Sequence, residues 1–235
     1  MGLKQMTEPT GFLGLREYAR IFGLVSNRDM AQGSFSVSLR DILKAGENYQ
    51  KVVSSPLVIF VQNTALLPIS YKGTNRERVI QSLIANLSGQ QPDVVGLTEV
   101  FVNDEKDQIK SALAAIYPYS LKGPNEADLE QDGGLLLLSR HPITDYHKTI
   151  FRQCCGVDSF SNKGILHAHI EVPGHPTGYD LFLAHTQDPD ASSFPEFGPG
   201  DNAREKLQWQ LTHLNSFIQS HRSPDCPALL MGDLN

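Results

Sequence analysis

The sequence has few of the residues that build disulfide-stabilised or zinc-bound proteins. Its 235 residues include three cysteines and one tryptophan. Cys154 and Cys155 are adjacent and Cys226 is distant, which matches neither a disulfide framework nor the paired spacing of a zinc site. We therefore predict reduced, mostly buried thiols.

Long apolar runs and a leader segment are also missing. Stretches such as "PLVIFV" and "GLLLL" are far shorter than the roughly 20 residues that a membrane-spanning helix needs. The first residues lack a basic stretch followed by an apolar core and a cleavage site, so no secretory signal is visible. We expect a cytoplasmic or peripheral membrane protein without a transmembrane segment.

The charge balance makes a broad nucleic-acid surface less expected. The net charge is −6, from 20 basic and 26 acidic side chains. This argument is weak, because a nuclease needs only a local positive cleft to hold its substrate. Nucleic acid is therefore the less expected partner.

The chain divides into two zones of different composition. Residues 1–50 form an N-terminal extension with one amphipathic helix, since Leu15, Tyr18, Phe22 and Val25 recur at helical spacing. That helix either packs on the main domain or lies on a membrane surface. Residues 51–235 alternate strands and helices and are predicted to form one domain.

The strands and helices of the second zone predict an α/β sandwich. Thr74 and Glu77 form a capping box before the first helix, and the apolar face of the last helix is predicted to contain Leu207, Leu211, Leu214 and Ile218. Three closely spaced strands, "DGGLLLLSR", "GILHAHIEV" and "YDLFLAHTQ", favour antiparallel pairing. Helices in both halves with clustered strands between them favour two packed sheets covered by helices.

Polar residues stand where the apolar strands end, and scaffolds often present catalytic groups there. They are Asn63, Glu99, His185, Asp233 and Asn235. Each alone is weak evidence, because such residues also form turns or solvated charges. Together they suggest a hard divalent cation, which prefers carboxylates, neutral oxygens and water.

Six segments in this order resemble the endonuclease/exonuclease/phosphatase superfamily of metal-dependent phosphoesterases. They are "VQNTALLP", "PDVVGLTEV", "DGGLLLLSRHPI", "NKGILHAHI", "LAHTQ" and "MGDLN". The segment "CGVDSFSNKG" closely resembles neutral sphingomyelinases, and "HTQDPDA" followed by "REKLQWQLTHLNSFI" is similar to the same enzymes. The resemblance implies a DNase I-like fold with four layers, α/β/β/α.

The resemblance also implies roles at the metal and the phosphate. Glu99 would ligate a catalytic Mg²⁺, with Mn²⁺ or Co²⁺ as alternatives, and Asn63 would contribute to the metal site or to phosphate binding. Asp233 would orient or activate the attacking water. Asn235 and His185 would donate hydrogen bonds to phosphate oxygens, whose charge grows in the transition state.

Three further residues follow from the same resemblance. Lys163 would add a positive charge at the phosphate, and Asp158, five residues earlier, would position it. Without the surrounding motif, Lys163 would be interpreted as an exposed turn lysine. Arg204 would anchor the substrate-facing loop "DPDASSFPEFGPGDNA".

The remaining histidines are interpreted as structural. His167 and His169 lie two apart, so they share one face of a strand and could suggest a metal pair. The family pattern does not use them as ligands, and we expect satisfied or sheet-surface histidines. Trp209 is expected to pack in the core.

Three functions remain open. The resemblance implies a metal-dependent phosphodiesterase that converts sphingomyelin to ceramide and phosphocholine, acting on a phospholipid at a membrane surface. A nuclease or other phosphoesterase on the same scaffold is the alternative, since a fold does not fix its substrate. A catalytically inactive remnant that binds lipid or protein is the third.

The chain departs from the family pattern after Asn235. The family's Asp-His pair on a later strand, whose histidine serves as general base or acid, is absent from this sequence, as are further strands of the second sheet. We therefore expect a C-terminally incomplete domain with an exposed sheet edge and little or no turnover by itself.

Overall fold

A computed structural model describes residues 56–67, 75–125, 133–156, 158, 161–189 and 203–235. The predicted N-terminal extension, residues 1–50, and its amphipathic helix lie outside these residues and stay a prediction. Leu57–Asn235 forms one compact unit, to which the following description refers.

The first sheet contains four strands in the order β1-β2-β4-β3. Their bounds are Ile59–Leu66 for β1, Val94–Val100 for β2, Tyr119–Lys122 for β3 and Leu136–Ser139 for β4. Helix α1, Arg76–Gln90, connects β1 to its parallel neighbour β2, which confirms the predicted strand, helix and strand. Helix α2, Asn103–Leu113, follows β2.

The second sheet also contains four strands, in sequential order from β5 to β8. Their bounds are Ile143–Ile150 for β5, Gly164–Ile170 for β6, Tyr179–His185 for β7 and Ala228–Asp233 for β8. Helix α3, Ala203–His221, connects β7 to its parallel neighbour β8. Among the described strands, β8 pairs only with β7, and its Leu229 and Leu230 are 38% and 44% exposed.

Three groups of buried side chains define four layers. Leu83 of α1 and Ile109 of α2 pack on Val95 and Leu97, on the outer face of the first sheet. Between the sheets lie side chains from both: Val94, Leu135, Leu137, Leu166, Ala168, Leu181 and Leu183. On the outer face of the second sheet, Leu214 of α3 packs on Ile165 and Ala184. The predicted α/β/β/α arrangement is confirmed, and central strands covered on both faces explain the continuous apolar runs.

Two predicted details of the helices are wrong. Helix α1 begins after Asn75, whose Oδ1 accepts a hydrogen bond from the Arg78 amide at 3.0 Å, so the cap is Asn75 and not Thr74. Leu211 of α3 is 39% exposed, whereas the neighbouring Gln210 is fully buried. The buried face of α3 is rotated from the one that the leucine spacing indicates, because Gln210 is hydrogen-bonded inside the protein.

The strand predictions were partly right. β6 and β7 pair antiparallel as expected, but β4 belongs to the first sheet and pairs with β2 and β3. Strands β3 and β5 were not predicted from the sequence. The latter, "ITDYHKTI", reads as polar because most of its residues are exposed at a sheet edge.

Two predictions of absence can be compared with the described residues. Among the described helices, none has the length and apolar character that crossing a membrane would require.

The three thiols form no disulfide; Cys155 is buried and the other two are half-buried. Burial raises the pKa of Cys154 to about 11, so that thiol keeps its proton at neutral pH.

A glycine at the end of β8 is required by the close approach of β7. Gly232 has a φ of 128°, and a Cβ there would lie 2.0 Å from the Ala184 carbonyl oxygen. We expect Gly232→Ala to lower the free energy of unfolding by roughly 3 kcal/mol, because backbone strain and overpacking act together.

Gly89→Ala in α1 is the matched control, because a Cβ at Gly89 meets nothing within 4 Å. It should raise the free energy of unfolding by up to about 1 kcal/mol. Urea denaturation measures the free energy of unfolding of both variants. Equal changes in the two would contradict a close approach of β7 at Gly232.

Candidate active site

The predicted site residues meet where four strands end. In each parallel pair, β1 with β2 and β7 with β8, the carboxyl ends lie at the same edge of the sheet. Asn63 is in register with Thr98, beside Glu99, and His185 is in register with Asp233. Because the two sheets pack face to face, these two edges place Asn63, Glu99, His185 and Asp233 together.

Asn63 connects the two carboxylates. Its Nδ2 donates to Glu99 Oε1 at 2.9 Å and to Asp233 Oδ2 at 2.7 Å, while its Oδ1 accepts from the Ala65 amide at 3.0 Å. The nearest ligand atoms of Glu99, His185 and Asp233 lie within 4.8 Å of one another. Residues from both sheets therefore face one small volume.

The backbone around Glu99 is held in a sparsely populated conformation. Glu99 has a φ of 60°, and Ala65, within the irregular part of β1, has a φ of 52°. Such left-handed residues cost roughly 1–3 kcal/mol each and concentrate at functional sites. Gly134 packs behind Glu99, where a Cβ would lie 3.2 Å from the Glu99 Cα and 2.9 Å from the Phe101 ring.

His185 is a neutral imidazole in this site. It is 1% exposed, and its Nε2 lies 3.9 Å from Glu99 Oε1. Burial, together with the nearby positive charge of Lys163, lowers the pKa of His185 to about 3, although Asp233 acts in the opposite direction. A neutral imidazole has one N–H group, so His185 can donate one hydrogen bond to an anion without carrying charge.

Asp233 is an ionised carboxylate at neutral pH. Burial alone would raise its pKa, but the hydrogen bonds from Asn63 and from the Asn235 backbone amide, with the positive charge of Lys163, outweigh burial and lower the pKa. The Asn235 amide lies 3.1 Å from Asp233 Oδ1. The side chain of Asn235 donates to the Thr186 carbonyl oxygen at 2.8 Å, which places it beside the same carboxylate.

Lys163 is buried and paired, and is not an exposed turn lysine. Its Nζ lies 2.8 Å from Asp158 Oδ1 and donates to the Thr186 carbonyl oxygen at 2.9 Å. Asp158 Oδ2 also accepts from the Asp188 amide at 2.8 Å. Lys163 and Asn235 therefore share one carbonyl acceptor, which ties the ion pair to the end of β7.

Two buried glutamines that support the site were given no role by the sequence analysis. Gln210 Oε1 accepts from the Gln187 amide at 2.7 Å, and Gln210 Nε2 donates to the Gln153 carbonyl oxygen at 2.7 Å. Gln187 Oε1 accepts from the Cys155 amide at 2.9 Å. They fix the segment before Asp158 against β7 and α3. The only sequence signal was their place in segments similar to the sphingomyelinases.

Arg204 does not join this group of residues. It is exposed in the first turn of α3. Most of the loop that it was predicted to anchor lies outside the described residues, so its contribution to substrate binding stays a prediction.

The donor set fits a hard divalent cation. Glu99 and Asp233 supply carboxylate oxygens from different sheets, and Asn63 hydrogen-bonds to both through its Nδ2. Carboxylates with neutral oxygens and water are the ligands that Mg²⁺ takes in proteins. In this structure the amide hydrogen bonds of Asn63 offset the repulsion between the two carboxylates, and a cation would offset it by charge.

The chain belongs to the Endonuclease/Exonuclease/phosphatase family, which it matches over residues 63–235, well over half of its length. A sphingomyelinase C from Bacillus cereus is 30% identical over 175 residues, covering 66% of this chain and 50% of the relative. The chain spans about half the length of the curated relatives that it matches.

Solved structures show the same fold. A crystal structure of sphingomyelinase C from Streptomyces griseocarneus is similar with a TM-score of 0.65 and 28% identity, over 77% of this chain and 65% of that one. A beta toxin mutant from Staphylococcus aureus with bound magnesium ions gives a TM-score of 0.65 at 24% identity, over the same shares. The four-layer fold is therefore that of the sphingomyelinases.

The buried ion pair between Lys163 and Asp158 predicts a large loss of stability when the lysine charge is removed. Lys163→Met should lower the free energy of unfolding by about 3–5 kcal/mol, because Asp158 would remain buried without its partner. Lys122→Met is the control: its partner Asp107 is 55% exposed, and the loss should stay below about 1 kcal/mol. Chemical denaturation measures both, and similar small losses would contradict the buried pair.

The low pKa of His185 predicts a pH dependence of stability. Its pKa is about 3 in the folded chain and near 6.5 in the unfolded chain. As the pH falls below about 6.5, the unfolded chain binds the proton first, so the free energy of unfolding falls towards pH 3. In His185→Gln this part of the slope should disappear, as measured by urea denaturation at several pH values without added metal. Equal slopes in both proteins would refute the assignment.

Proposed function

We propose that this chain forms the catalytic site of a metal-dependent phosphodiesterase of sphingomyelinase type, which hydrolyses sphingomyelin to ceramide and phosphocholine. The observation that carries the proposal is the convergence of Asn63, Glu99, His185 and Asp233 from four strands and two sheets. The similarity to sphingomyelinases from Bacillus cereus and Streptomyces griseocarneus supports the substrate class.

The anionic phosphodiester sets the chemical problem. It repels an attacking hydroxide, so the site must neutralise charge and place a water opposite the leaving oxygen. Glu99 and Asp233 would hold the cation, and Asn63 would join them once its side chain turns the Oδ1 that now accepts from the Ala65 amide. A bound Mg²⁺, Mn²⁺ or Co²⁺ would supply positive charge at the phosphate. Magnesium is the leading choice because of the oxygen ligands, and a similar beta toxin structure contains magnesium ions.

The side chains divide the remaining work. Asp233, kept ionised by its hydrogen bonds, accepts a hydrogen bond from the attacking water and orients it. The neutral His185 donates an N–H to a phosphate oxygen. The side-chain Nδ2 of Asn235, which gives one hydrogen to the Thr186 carbonyl oxygen, provides its other hydrogen as a second donor. Their contribution grows as negative charge develops on those oxygens, because the donors are already positioned before the reaction. Lys163 favours the same charge through its field.

The substrate also sets a requirement for access to a membrane. Sphingomyelin lies in a bilayer, so the edge formed by the ends of β1, β2, β7 and β8 must reach a membrane surface. The predicted amphipathic helix within residues 1–50 would supply that contact. A cytoplasmic or peripheral membrane location is part of this proposal.

The low turnover expected from residues 1–235 also stays a prediction. Phosphocholine released from sphingomyelin vesicles by the 235-residue chain measures it, and turnover in the usual enzyme range, above about 1 s⁻¹, would contradict the expectation.

Glu99→Gln tests the proposed function directly. The substitution keeps the shape of the side chain but removes its charge, so we expect Mg²⁺ affinity to fall and sphingomyelin hydrolysis to drop at least about 100-fold. Hydrolysis is measured as phosphocholine released from sphingomyelin vesicles, with plasmid DNA assayed in parallel. Mg²⁺ binding, followed by calorimetry, provides a readout when turnover is low.

Glu77→Gln on α1 is the matched control and should leave both values unchanged, because Glu77 hydrogen-bonds only to Gln81 and Gln108 in the described contacts. Cleavage of DNA alone would reject the lipid assignment. Unchanged Mg²⁺ binding and hydrolysis in Glu99→Gln would reject the site.

A further inference from the structure

A second group of metal-ligating side chains lies on the helix-covered face of the second sheet. We define the histidine cluster as Asp145, His147, His167 and His221. His147 and His167 are direct cross-strand partners on β5 and β6, with ring centroids 5.7 Å apart. His221, the last residue of α3, stacks on His147 at 4.1 Å between centroids. Ligand atoms of Asp145, His147 and His167 lie within 4.8 Å of one another.

This cluster is separate from the candidate active site. Asp180, which is hydrogen-bonded to His167 of the cluster, lies near the start of β7. His185 lies at the end of β7, five residues or about 16 Å further along the strand. His167 stacks on its cross-strand partner Phe182, on the face that α3 covers. Leu181 and Leu183 point to the opposite face, into the core between the sheets. The two groups of ligands therefore cannot share an ion.

His167 has the hydrogen-bonding arrangement of a metal-bound histidine. Its Nε2 lies 3.1 Å from Asp180 Oδ1, and Asp180 is fixed in turn by His169 Nδ1 at 2.8 Å and by the Ser223 amide at 2.6 Å. Because an ionised carboxylate only accepts, Nε2 carries the hydrogen and Nδ1 keeps its lone pair. A carboxylate on the second ring nitrogen is what most metal-ligating histidines have.

The other ring nitrogen of His167 is unused. His167 is 1% exposed, and its Nδ1 is buried with no hydrogen-bond partner among the described residues. An unpartnered buried acceptor is costly, and a cation would satisfy it.

The neighbouring group of His169, Asp180 and Cys226 is less suited to a metal. Burial raises the pKa of Cys226 to about 11, so its thiol keeps the proton that a ligand must lose. Asp180 already accepts three hydrogen bonds.

We propose that Asp145, His147 and His167 form a second metal site that takes Zn²⁺, and that His221, whose ring now stacks on His147, turns to become the fourth ligand when the ion binds. Imidazole ligands suit zinc and related transition metals, whereas Mg²⁺ prefers oxygen. Four protein ligands without an open position are typical of a structural site. The ion would join the edge strand β5 and strand β6 to the C-terminal end of α3, holding that end of the helix on the sheet.

The test uses Co²⁺ and Zn²⁺ alone as probes on the 235-residue chain, with excess Mg²⁺ present to occupy the candidate active site. We expect one equivalent of Co²⁺ to give the visible absorption bands of a four-coordinate ion, and Zn²⁺ to displace it. His147→Ala should remove these bands and lower Zn²⁺ affinity by at least about 10- to 100-fold, the loss typical for partners of a metal site. His147 and Asp145 are exposed, so His147→Ala and Asp145→Asn should keep the fold, as checked by circular dichroism.

His213→Ala is the matched control. His213 is exposed, lies on α3 like His221, and stacks on Trp209 outside the cluster. It should leave the cobalt bands and the zinc affinity unchanged. Zn²⁺ should also raise the thermal midpoint of the original chain and of His213→Ala, but not that of His147→Ala. Three results would each overturn the proposal. They are the absence of cobalt bands in the original chain, equal cobalt spectra in the original chain and His147→Ala, and equal losses of zinc affinity in His147→Ala and His213→Ala.

Discussion

One amide group holds the two halves of the candidate active site together. The Nδ2 of Asn63, on the first sheet, donates both to Glu99 on the same sheet and to Asp233 on the second. The position of these carboxylates thus depends on how the sheets pack, and this is set by the apolar layer between them. Gly96 shows how tight that layer is, since a Cβ there would lie 3.0 Å from Leu183. The candidate metal ligands and the core are therefore positioned by the same packing.

Burial and hydrogen bonding give each ionisable group at the site a defined protonation state. Removing His185 from water favours its neutral form, whereas hydrogen bonds keep Asp233 charged in nearly the same place. Lys163 stays in the interior because Asp158 and a carbonyl oxygen satisfy it. An acceptor for water, a neutral donor and a fixed positive charge therefore lie side by side, and this arrangement suits a reaction in which charge develops on a phosphate.

Much of this site was predictable, because an apolar run followed by a polar residue marks the end of a buried strand in a sequence. Asn63, Glu99, His185 and Asp233 each follow an apolar run, and the order of the runs identified the family that the comparison confirms. Other features depend on tertiary contacts. Leucine spacing placed Leu211 on the buried face of α3, because periodicity does not register that Gln210 hydrogen-bonds inside the protein.

The polar strand β5 and the histidine cluster were not predicted either, because both depend on tertiary contacts. β5 has no apolar alternation to mark it as a strand, so its pairing with β6 was not visible in the sequence. Without that pairing, His147 could not be placed opposite His167. Nothing in the local pattern placed His221 beside them either, since it comes from the end of a distant helix.

The hydrogen bond between Asn63 and Asp233 joins residues 170 positions apart in the chain. Contacts of such long range form late, because a long loop must close before they contribute any stability. A ribosome-bound intermediate that lacks β8 would possess Glu99 and Asn63 but not the second carboxylate. Capture of a divalent ion by both carboxylates would accordingly require that β8 has already joined the second sheet.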